Sequence, residues 1–92
     1  MIVGDFMKSI TYFYLKGCPY CKQADEWLKE LMDENPQYNN LEIHFIDENT
    51  NPEYCDLFDY YYVPCFYVDG EKKHEGTGTK EKIKAVLDSA LN

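Results

Sequence analysis

Among these 92 residues no apolar run approaches the ~20 that a membrane-spanning helix needs, so a membrane-embedded chain is not expected. The opening Met1-Ile2-Val3-Gly4-Asp5-Phe6-Met7-Lys8 lacks both the basic start and the long apolar stretch of a secretory signal, and the expected compartment is the cytoplasm. Positive charge is scarce: nine basic residues against seventeen acidic ones leave a net charge of −8. A chain of that sign repels nucleic acid and anionic membrane, and neither is an expected partner. The acidity itself reads as solubility and does not point to an acidic substrate. Internal repeats and low-complexity tracts are also absent, which sets aside repeat arrays and disordered linkers.

What is present is material for a core. The chain is 45% hydrophobic, with nine Tyr, five Phe and one Trp, enough for one small domain without staples. The expected organisation is a short lead-in over residues 1–9 and a single domain over residues 10–92. Ile10-Thr11-Tyr12-Phe13-Tyr14-Leu15, β-branched and aromatic, reads as a strand. A helix from Pro19 to Glu34 follows, with Ala24, Trp27, Leu28, Leu31 and Met32 at helical spacing and Asn35-Pro36 as its stop. Leu41 to Ile46 mostly alternates and reads as a second strand. Asn51-Pro52 predicts a second helix, capped by Asn51, with Tyr54, Leu57, Phe58 and Tyr61 along one face.

Cys65 to Val68 is the third strand, Asp69-Gly70 a hairpin turn, and Glu71 to Glu75 the fourth strand. Gly76-Thr77-Gly78 breaks the chain before a last helix, Lys80 to Leu91, capped by Thr79. The order is βαβαββα. Each βαβ crossover joins parallel strands and the tight turn joins antiparallel ones. The expected architecture is therefore α/β, a four-stranded mixed sheet flanked by three helices, with the first strand central.

Cys18-Pro19-Tyr20-Cys21 falls where the first strand gives way to the first helix. Cys18 is then the helix N-cap and Pro19 takes the first helical position, where a missing N–H costs nothing. Unpaired N–H groups and the helix dipole favour a thiolate at Cys18, the species that attacks disulfides. Lys16 and Lys22 flank the pair and add positive charge. Cys21, one turn on, is placed to resolve a mixed disulfide with Cys18, and Tyr20 shapes the rim between them. The competing chemistry is zinc, for which Cys55, Cys65, His44 and His74 are the further candidates, but no second CxxC or HxxxH spacing accompanies them. Without that, no metal is expected, Cys55 and Cys65 read as buried packing residues, and the two histidines as strand surface. A non-catalytic binding module is the reading from another class.

Three features together resemble the thioredoxin superfamily over residues 10–91. They are the Cys-Pro-Tyr-Cys motif after strand one, Val63-Pro64 before strand three, and Gly76 between strand four and the last helix. The Cys-Pro-Tyr-Cys form is similar to glutaredoxins. Yet Leu15 stands where they carry Lys, Tyr62 replaces the Thr of Thr-Val-Pro, and Gly76-Thr77-Gly78-Thr79-Lys80 replaces the run that grips glutathione. Tyr12 stands where thioredoxins carry a buried Asp, so no proton acceptor carries over. The resemblance implies a disulfide reductase acting on protein or small-molecule disulfides. It would hold no bound cofactor beyond a redox-active Cys18–Cys21 disulfide, and would be re-reduced by a thioredoxin reductase or, second, by glutathione. It further implies a monomer and a cis Pro64 beside the thiols, with the Val63 backbone and Tyr20 contacting substrate.

Overall fold

Side chains at successive strand positions point to opposite faces, and β1 (Ile10–Tyr14) uses both for aromatic burial. The computed structural model describes residues 8–91; most of the expected lead-in, residues 1–7, lies outside them. β1 pairs in parallel with β2 (Ile43–Asp47) and antiparallel with β3 (Cys65–Val68), which pairs antiparallel with β4 (Glu71–Glu75). The order β2-β1-β3-β4 is a four-stranded mixed sheet with β1 inside it. Asp69 and Gly70 both take positive φ, 48° and 84°, as a two-residue hairpin with right-handed strand twist requires.

On one face lie α1 (Pro19–Glu34) and α3 (Lys80–Ala90). Ala24, Leu28 and Leu31 of α1 and Ile83, Val86, Leu87 and Ala90 of α3 bury against Ile10, Tyr12, Phe66 and Val68. Thr79 caps α3, its Oγ1 accepting from Lys82 N at 3.2 Å. Phe13, Cys65 and Tyr67 face the other way and form a second cluster with Cys55, Phe58 and Tyr60.

That second face departs from expectation. α2 is a single turn, Pro52–Cys55, rather than a helix reaching Tyr61. Tyr54, Leu57, Phe58 and Tyr61 do not share a buried face: Leu57 and Tyr61 point to solvent. Aromatic rings lose side-chain freedom in a helix, whereas an irregular chain lets several converge on one anchor. Here the anchor is Phe13, with Phe58 and Tyr60 ring centroids each 4.8 Å away. Asn51 stands at the N-cap as expected, but its side chain makes no cap hydrogen bond; its Nδ2 donates instead to Asp47 O at 3.2 Å, bracing the link from β2. β2 begins at Ile43 rather than Leu41, because a 3₁₀ turn, Pro36–Asn40, takes up the preceding chain and buries Tyr38.

Candidate active site

β1 ends at the rim of the sheet, and Leu15-Lys16-Gly17 carries the chain over to α1. Gly17 has φ 88°, a conformation that other residues avoid. Cys18 is the N-cap of α1 in extended geometry (φ −78°, ψ 123°), with Pro19 in the first turn. Its backbone N–H donates to Leu15 O at 3.2 Å, closing the turn that sets it there. Cys18 is half-buried, and Cys21 is only 2% exposed. Both line a cleft of about 550 Å³ together with Tyr14, Lys16, Lys22 and Asp25.

The two thiols are unequal. Burial acts to raise Cys18, but the Cys21 backbone N–H, the Cys21 thiol and the Tyr20 backbone N–H outweigh it and leave Cys18 below an ordinary thiol. Glu48 opposes them with a smaller effect. Lys16 and Lys22 are not among these main influences, so it is the helix-start N–H groups rather than the lysines that favour the thiolate. Burial pushes the Cys21 thiol up to about 12; a backbone hydrogen bond at Leu15 works against this, while Cys18 and Asp25 add to it. One sulfur is thus prepared to ionise and its neighbour to keep its proton.

Asp25 is the residue that sequence reasoning missed. The Tyr12 hydroxyl, buried beneath α1, donates to Asp25 Oδ1 at 2.9 Å, with the Cys21 carbonyl oxygen a second acceptor at 3.2 Å. Burial raises the Asp25 carboxyl, the Tyr12 hydrogen bond partly offsets it, and Glu26 adds to it. The available signal was spacing: Asp25 follows Cys21 by four residues, on the same helix face. Tyr12 is held in place by stacking on Phe66, 4.4 Å between centroids.

The pairing Phe13↔Cys65 puts Pro64 one step beyond β3, at the end of the sheet where β1 hands over to Cys18. The Val63–Pro64 peptide bond is cis. Pro64 O accepts from Gly76 N at 2.8 Å, and Gly76 adopts φ 84° to make that approach. Tyr20 stands 57% exposed beside the dithiol.

A family model described as a thioredoxin domain matches residues 9–88. The chain belongs to the thioredoxin domain family. It is similar to a thioredoxin of Methanocaldococcus jannaschii, 26% identical over 82 residues, a match spanning 89% of this chain and 94% of the relative. Among solved structures, a thioredoxin of Malassezia sympodialis superposes with TM-score 0.73 at 16% identity, over 97% of this chain and 79% of that one. The oxidised thioredoxin of Plasmodium falciparum superposes with TM-score 0.69 at 17% identity, over 94% of this chain and 83% of that one. At such identities the structures speak for the fold.

The other candidate residues of this thioredoxin-family chain lie apart from the dithiol. Cys55 and Cys65 are buried in the Phe13 cluster. Burial, followed by Glu75, pushes the Cys65 thiol up to about 12. Among the described residues no three His, Cys, Asp or Glu side chains are grouped to hold a metal ion. His44 is exposed and pairs with Glu42 at 3.0 Å. His74, expected at the surface, is half-buried, its Nε2 2.7 Å from Gly76 O. A Cβ on Gly78 would sit 2.6 Å from the His74 ring, so a larger residue there would require the imidazole to shift.

Proposed function

We propose that this thioredoxin-family protein is a thiol–disulfide oxidoreductase that reduces protein or small-molecule disulfides through Cys18 and Cys21. The observation that carries the reading is the placement of the two thiols: Cys18 stands at the N-cap of α1, where N–H groups favour its thiolate, and Cys21 is buried one turn on, where burial favours its thiol. The Cys18 thiolate attacks one sulfur of a substrate disulfide; that S–S bond breaks, a mixed disulfide forms, and the first substrate thiolate departs to take a proton. Cys21 then loses its proton to the Asp25 carboxylate and attacks the Cys18 sulfur. The mixed disulfide breaks, the second substrate thiolate leaves with the electron pair and is protonated, and a Cys18–Cys21 disulfide remains. Two electrons have passed to substrate, and an external donor must return them. The Val63 backbone beside Pro64 supports an extended substrate segment, as added strands do elsewhere, and Tyr20 lies on the approach.

For the donor we favour a flavoprotein thioredoxin reductase over glutathione, because Gly76-Thr77-Gly78-Thr79-Lys80 lacks the glutathione-gripping pattern. A reducing cytoplasm and a monomeric protein suit the same reading. Two coupled assays test it: NADPH with thioredoxin reductase and insulin, and NADPH with glutathione reductase, glutathione and a mixed-disulfide substrate. Turnover is expected in the first and weaker turnover in the second. Cys18→Ser abolishes both, and Cys21→Ser accumulates a mixed disulfide at Cys18. Turnover in neither, with Cys18 reduced and alkylatable, overturns the proposal in favour of a non-catalytic module.

A further inference from the structure

β4 breaks its regular ladder at one residue. Cys65 pairs with Glu75 and Phe66 with His74, but Tyr67 pairs with Lys72, so Lys73 is an extra residue in the strand. An inserted residue reverses the alternation of side chains. Lys72 and Glu75, three apart, therefore stand on one face, the face of Cys65 and Tyr67. They meet there, Lys72 Nζ 2.8 Å from Glu75 Oε1. The other carboxylate oxygen, Glu75 Oε2, accepts the backbone N–H of Tyr61 and, at 3.0 Å, that of Tyr62. Lys72 Nζ also donates to Asp59 O at 3.3 Å, and the Tyr67 hydroxyl donates to the same oxygen at 2.8 Å. Residues 59–62, which lead directly into Val63-Pro64, are thus gripped at three residues, Asp59, Tyr61 and Tyr62, by Lys72 and Glu75 of β4 with Tyr67 of β3.

What the grip displays has no part in the core. Tyr61 is 84% exposed and Tyr62 69%. Asp56 and Asp59, both exposed, lie in the same loop. Tyrosine faces attract cations, nearby carboxylates reinforce the attraction, and the whole chain carries −8. A surface already ordered before binding avoids the entropy cost of ordering it on contact.

We propose that the Lys72–Glu75 clamp pre-forms a recognition surface, Tyr61 and Tyr62 beside Val63-Pro64, for polypeptide disulfides whose cysteine is flanked by lysine or arginine; this rests on the disulfide-exchange reading above. Small disulfides reach Cys18 without touching it. The clamp is charged throughout the physiological range, since Lys72 first, then the Tyr61 and Tyr62 N–H groups, hold the Glu75 carboxyl down to about 2.

The test uses the full chain, recycled by dithiothreitol so that the donor does not matter. Three substrates are compared: 2-hydroxyethyl disulfide, a disulfide-bridged peptide with lysines beside its cysteines, and the same peptide with glutamates in their place. Glu75→Gln, and separately the double variant Tyr61→Ala/Tyr62→Ala, should raise KM for the basic peptide roughly tenfold with kcat little changed. Turnover of 2-hydroxyethyl disulfide should stay within about twofold, a change too small to reflect lost transition-state binding. Amide exchange at Tyr61 and Tyr62 should quicken in Glu75→Gln. A wild-type preference for the acidic peptide, or losses equal across all three substrates, overturns the proposal. If Glu75→Gln does not fold, the outward-facing tyrosine pair still decides the matter. Titration with the basic peptide carrying Ser for both Cys separates the two readings: binding without turnover defeats only the disulfide-exchange function, and no binding defeats only the recognition surface.

Discussion

Cys18 and Cys21 are three residues apart, and their chemistry differs because one stands at a helix start and the other beneath it. Iodoacetamide should therefore alkylate Cys18 with an apparent pKa below the ordinary 9.0, and Cys21 only as pH approaches about 12. Asp25 gives a sharper experiment, because its two effects oppose. Its charge holds the Cys21 thiol up, so Asp25→Asn should lower that pKa. If charge were its whole role, the variant would resolve mixed disulfides faster. As a proton acceptor it should instead slow resolution, on the order of tenfold to a hundredfold, with recovery at high pH. Stopped-flow release of thiol from a preformed mixed disulfide reads the sign. Cys18-Pro19-Tyr20-Cys21 was legible because its elements are contiguous; the Tyr12–Asp25 pair was not, since thirteen residues separate its members and only packing brings them to 2.9 Å.

At the scale of elements, sequence periodicity served where an element packs along its length. α1 and α3 each bury one continuous stripe, and their expected and observed bounds agree within a residue. α2 failed because Phe13, on another strand, gathers Phe58 and Tyr60 from the irregular chain that follows the single turn. Phe13→Ala should cost about 3–5 kcal/mol, read from the urea midpoint, and should loosen residues 58–60 in hydrogen exchange. Glu75 supplies the acid limb. A depressed carboxyl contributes stability that is complete above its ordinary 4.5 and is lost as pH falls toward about 2. Wild type should weaken across that window, and Glu75→Gln should flatten that part of the curve.

For the whole molecule the governing quantity is charge. With −8 spread over 92 residues, encounter with a basic polypeptide disulfide is electrostatically assisted. Its kcat/KM should fall as the Debye length shrinks from about 30 Å at low salt to about 8 Å at physiological ionic strength. Reduction of the uncharged 2-hydroxyethyl disulfide should not change. A flat salt profile for both would remove long-range steering as a factor.

Local chemistry settled what the sequence could determine alone: strand composition, helix spacing, the Asp69-Gly70 turn and the cysteines at a helix start each depend on neighbours within a few positions. From these follow the βαβαββα order and the thioredoxin-like architecture. The tertiary structure decided everything that depends on distant residues meeting. It placed Asp25 with Tyr12 beside Cys21, it held α2 to one turn around Phe13, and through the extra residue Lys73 it turned Lys72 and Glu75 onto the loop before Pro64. A one-residue bulge reverses which face a side chain takes, and no local pattern in Glu71-Lys72-Lys73-His74-Glu75 announces it, because the sheet partner selects the register.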